Sequence, residues 1–94
     1  MVRVAKIKFV EIYAGQGDVY VVYNTKKPFS DGHTHVKNFN TAKYLANLIV
    51  RQQIPRNCKS VYLLESFIRL ETNPKRIHET MQIIQKQTEK KRRH

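Results

Sequence analysis

The 94-residue chain carries 18 Lys and Arg against 7 Asp and Glu, a formal net charge of +11, and 40% of its residues are hydrophobic. That length fits one domain with one modest core, and that hydrophobic share excludes a disordered chain. No apolar run approaches the roughly 20 residues that a bilayer span requires, and the start MVRVAKIKFVEIY lacks the unbroken apolar stretch of a signal peptide.

The first long apolar-rich run, residues 2–13, and the short run VYVVY at 19–23 are rich in β-branched and aromatic residues. Between them lies AGQGD, whose Gly15 and Gly17 can take the positive φ angles of a short hairpin loop. Alternation in the first run is imperfect. Ile7, Phe9 and Tyr13 share one face with Glu11, while Val2, Val4, Val10 and Ile12 share the other with Lys6 and Lys8. Such a change of face predicts a bulge or one long twisted strand. Apolar residues exposed on both faces would also allow a homodimer that completes the sheet.

Residues 24–39 contain the turn formers Asn24, Pro28, Ser30, Asp31 and Gly32 and read as a loop, pinned to the core by Phe29, Val36 and Phe39. A helix is expected from Asn40 or Thr41, with Asn40 as its N-cap. Ala42, Leu45, Ala46 and Ile49 fall at i, i+3, i+4 and i+7 with Leu48 beside them, and Pro55 supplies the stop. The segment SVYLLESFIRLE, 60–71, fits either element. Its Val, Tyr, Phe and Ile favour a strand, while its length and the Glu65–Arg69 spacing favour a helix. A last helix begins at Pro74 after a cap at Thr72 or Asn73. It carries a narrow stripe of Ile77, Thr80, Met81, Ile84 and Thr88 before fraying into TEKKRRH. The expected fold is α+β: an N-terminal β-hairpin packed with two or three helices in a single domain over 1–89, with a basic tail over 90–94.

The charge carries the functional expectation. Without Lys90, Lys91, Arg92 and Arg93 the chain still has a net charge of +7, so the excess is spread through the folded part. Such a field attracts polyanions, nucleic acid first and then acidic protein surfaces. Arg3, Lys6 and Lys8 on the hairpin, Lys26 and Lys27 after it, and Lys90, Lys91, Arg92 and Arg93 in the tail are the expected nucleic-acid-binding residues. A basic ribbon with Tyr13, Tyr20 and Tyr23 could enter a major groove or offer rings to unpaired bases. The bland alternative is that the tyrosines fill the core edge and the lysines keep an exposed strand from pairing.

Chemistry-bearing motifs are sparse. Asp31, His33 and His35 form an Asp-x-His-x-His run, but no HExxH, CxxC or carboxylate pair completes a metal site. His33 or His35 could act as general base in a small metal-independent ribonuclease, although the residue types needed occur in almost any basic protein. Cys58 cannot close an internal disulfide, which with the missing signal peptide favours a cytoplasmic setting. The leading expectation is a non-enzymatic nucleic-acid-binding protein, regulatory or architectural, with no cofactor and no membrane contact. The alternative is a protein–protein module or inhibitor of the kind encoded by a virus or mobile element.

Overall fold

The computed structural model describes residues 1–92. Three strands come first: β1 (Val2–Ile7), β2 (Val10–Ala14) and β3 (Val19–Asn24). A single helical turn, α1 (Phe29–Gly32), leads into β4 (His33–Lys37), and three helices follow: α2 (Phe39–Arg51), α3 (Val61–Leu70) and α4 (Pro74–Arg92). The strands form one antiparallel sheet in the order β1-β2-β3-β4. The expected α+β class and N-terminal hairpin hold, and the hairpin is part of a larger meander.

The first apolar run is two strands. The chain reverses at Lys8–Phe9, where Ile7 pairs with Val10 and Lys8 takes φ 52°. No Gly or Asn marks this turn, so the usual two-residue hairpin signal is missing. The reversal, together with a register shift between Arg3 and Ala5, accounts for the change of face in the sequence.

One face of the sheet carries the core. Val10, Ile12, Val22 and Val36 pack with Ala42, Leu45, Ala46, Leu48 and Ile49 of α2 and with Phe67 and Leu70 of α3. The stripe read from sequence on α2 is therefore its buried face. Its cap lies earlier than expected: the Asn38 side chain accepts from the backbone N–H of Asn40 at 2.7 Å and of Thr41 at 3.4 Å. Its end also precedes Pro55. Gln52 adopts a left-handed conformation (φ 58°), and the Gln52 and Gln53 N–H groups close on the carbonyls of Ile49 and Leu48.

The ambiguous segment 60–71 is helical over Val61–Leu70. Ser60 caps it by accepting from Leu63 N–H at 3.3 Å, and Leu64, Ser66, Phe67 and Leu70 face inward. At the opposite end the Lys27 ammonium donates to the carbonyls of Arg69 (2.9 Å) and Glu71 (3.4 Å). Helix α4 starts with Pro74 in the first turn. Asn73 Oδ1 accepts from Lys75 and Arg76 N–H, and Thr80 of the expected stripe is fully buried, while Met81 is mostly exposed. The helix runs through Arg92, beyond the fraying expected at Thr88.

The region read as a loop holds the largest difference. His33, Thr34, His35, Val36 and Lys37 form the fourth strand, with Thr34 and Val36 buried. Phe39 does pack against the core, as Val36 does, but Phe29 lies 44% exposed away from it. Among the described residues no helix is long and apolar enough to cross a membrane.

Candidate functional site

The sheet face opposite α2 is built by strand register. Residues directly opposite one another across an antiparallel pair project to the same side. Lys6, Glu11, Tyr23 and His33 form one row across β1 to β4, and Arg3, Tyr13, Val21 and His35 form the next. Lys37, paired with Val19, extends the face at the β4 margin. Val21 sits in its middle. Flanked by Tyr13 and His35 across the strands, it is only 1% exposed although it lies away from the main core. The outer face is thus a floor of rings and cations over a small apolar centre.

Four rings at the β4 side form a connected group. Phe29 stacks on His33 with centroids 4.2 Å apart and planes 1° from parallel, and meets Tyr23 edge-on at 5.1 Å. His33 meets His35 edge-on at 5.2 Å. Two of the rings are held by hydrogen bonds to backbone carbonyls. The Tyr23 hydroxyl donates to the Lys27 carbonyl at 2.8 Å. The His33 Nδ1–H donates to the Phe29 carbonyl, which orients the imidazole against the Phe29 ring. The short helix α1 exists within this arrangement: its turn brings Phe29 back over the strand it precedes.

The β1 side holds a charged group. Glu11 accepts from the Tyr13 hydroxyl at 2.7 Å and from Arg3 at 3.1 Å. The Tyr13 hydrogen bond is the largest influence on the Glu11 carboxyl and, with the help of Arg3 and Lys6, holds it below its ordinary value against the opposing effect of burial. The same hydrogen bond raises the Tyr13 phenol above its ordinary range. The strands place one acid on this face, and it is already engaged.

The expected binding residues divide accordingly. Arg3 and Lys6 lie together on the open face, and Lys8 occupies the β1–β2 turn. Lys26 sits over the Phe9 ring at 4.0 Å, and Lys27 holds the end of α3. Tyr20 belongs to the opposite face, where it pairs with Val36 and contacts Phe39 at 5.4 Å. The backbones of Lys90, Lys91 and Arg92 continue α4, while Arg93 lies outside the described residues. Phe29 and Lys37 were missed by sequence reasoning. The alternation in HTHVK was the available signal for Lys37; nothing local marked Phe29 as outward-facing.

Among the described residues no group of three or more His, Cys, Asp or Glu side chains converges as a metal site. A cleft of about 690 Å³ opens elsewhere, between the end of α2 and the start of α4, lined by Tyr44, Gln53, Arg56, Lys75 and Glu79 among others. Arg56 there is paired with Glu79 at 3.6 Å, and neighbouring Arg76 with Glu71 at 3.0 Å, so much of its charge is neutralised internally. Comparison with protein-family models, curated proteins and solved structures finds no match to this chain.

Proposed function

We propose that the protein binds nucleic acid through the open face of its sheet, in a regulatory or architectural role and without catalysis. The observation that carries this reading is the placement of Lys6 and Lys37 at opposite margins of the open face, whose one strand acid, Glu11, is paired with Arg3. A phosphate chain crossing the sheet therefore meets cations at both ends. The remaining positive charge of the chain raises the local concentration of any polyanion.

The test is a salt titration of binding to labelled DNA and RNA, single-stranded and duplex. Neutralising two phosphates, at Lys6 and Lys37, predicts a log–log slope of about −1.4 for single strands, at about 0.7 per phosphate. Absence of binding at low salt overturns the proposal and leaves an acidic protein surface as the partner to seek.

A further inference from the structure

We infer that the polyanion is single-stranded, and that its bases stack on the ring group Tyr23, Phe29, His33 and His35. This rests on the reading of the open face as a nucleic-acid site and goes beyond it by naming how the ligand is recognised.

Shape argues first. Four strands at about 4.8 Å spacing make a face about 14 Å across before side chains are added, wider than the roughly 12 Å major groove of a duplex. A free two-stranded ribbon could enter that groove, but here β2 has a neighbour on each side and the sheet is backed by α2. A duplex can meet this face only through its phosphates. An unpaired strand can lie along it.

Ring geometry argues second. Phe29 is a large apolar side chain left 44% exposed beside a charged surface, already parallel to His33 at 4.2 Å. Tyr23 and His35 extend the group at 5.1 and 5.2 Å from their nearest ring. Backbone hydrogen bonds to Phe29 and Lys27 fix His33 and Tyr23, so a base arriving on the stack orders few side chains. Every base has a π-face, so such a platform accepts single strands with little sequence preference. Lys37, two residues beyond His35 on the same face, is placed for an adjoining phosphate. The competing role for the rings is to cover Val21 and nothing more.

The experiment compares fluorescence anisotropy of the full chain with four probes at one salt concentration: oligothymidylate, oligouridylate, a duplex of equal length and an abasic oligonucleotide of equal length. The single strands are expected to bind at least about fivefold more tightly than the abasic or duplex probes, the low end for one stacked base. Phe29→Leu should remove most of that preference and leave abasic binding unchanged, while Phe29→Tyr should retain it. Because Phe29 is exposed, both variants leave the core intact, and circular dichroism checks this. Equal binding of single-stranded and abasic probes, or of single strands and duplex, overturns the inference while leaving polyanion binding in place. So does an equal effect of Phe29→Leu on all probes. Binding of none of the four at low salt overturns the proposed function as well.

Discussion

Arg69 of α3 reaches β4, its Nε donating to the carbonyl oxygen of His33 at 3.0 Å. The same guanidinium donates to Ser30 at 3.2 Å, and the Tyr62 hydroxyl, two helical turns earlier, donates to the His35 carbonyl. One helix face thereby occupies the outward carbonyls of an edge strand, which would otherwise be free to pair with another chain. It also fixes the strand that carries both histidines of the ring group. Arg69→Met keeps the aliphatic stem and loses the donors. We expect a loss of about 1 kcal/mol, modest because the exposed carbonyls can bind water. A urea titration should show a lower midpoint with an unchanged slope.

Glu71 is a second keystone, buried to 2% exposure at the junction of α3 and α4. Its carboxylate accepts from Thr72 N–H at 2.9 Å, Asn73 N–H at 3.0 Å and Arg76 Nε at 3.0 Å. Glu71→Ala strands two backbone donors and a guanidinium at once, and should cost about 3 kcal/mol or more. Glu71→Gln should cost less, since its carbonyl can still accept. A double-mutant cycle with Arg76→Ala should give a coupling of about 1 kcal/mol or more in thermal unfolding.

Gly32 has no room for a side chain. A Cβ placed there lies 2.6 Å from the Lys27 Cβ and 3.2 Å from the Asn24 carbonyl oxygen, neither of which can swing aside without moving backbone. Gly32→Ala should cost about 1–3 kcal/mol by overpacking. Amide chemical shifts of Lys27 and of His33 at the start of β4 should report the displacement.

The pairing of Glu11 predicts a pH dependence with a definite sign. Its folded-state pKa lies below the ordinary carboxylate value, so its contribution is fully present above that value and is lost as pH falls through the depressed folded one. Side-chain NMR should show Glu11 titrating below the ordinary carboxylate range, and Tyr13→Phe should move that midpoint upward. Wild-type stability should fall more steeply than that of Glu11→Gln as the pH drops below this point.

Charge reversal on the open face separates the margins. Lys6→Glu and Lys37→Glu should each weaken single-strand binding and reduce the salt slope by about 0.7, the contribution of one phosphate. Lys59→Glu, in the connector between α2 and α3, should leave that slope unchanged. The comparison is a repeat of the salt titration on each variant.

Helix α2 was legible in the sequence because Ala42, Leu45, Ala46 and Ile49 repeat with helical period over several turns, and all four are buried. The β2–β3 hairpin was legible because glycine marks its loop; Gly17 takes φ 63° there. Other boundaries were hidden where unexpected residues did the same work. Lys8, Asn38 and Gln52 adopt positive φ where glycine would have been the signal. Segment 60–71 could not be assigned locally, because β-branched and aromatic residues serve equally well on the buried side of a helix. Ser60 and the packing of Phe67 and Leu70 settle it.

Composition and periodicity alone determined a single basic α+β domain, a hairpin at its start and the buried stripe of α2, because these follow from charge count, loop chemistry and short-range spacing. Tertiary structure decided the rest. His33 and His35 lie in a five-residue strand whose existence depends on β3 on one side and on Arg69 and Tyr62 on the other. No local pattern places Arg3 and Lys6 on one face with Tyr23, Phe29 and His35. Strand register across four successive strands does that for the strand residues, and the turn of α1 adds Phe29.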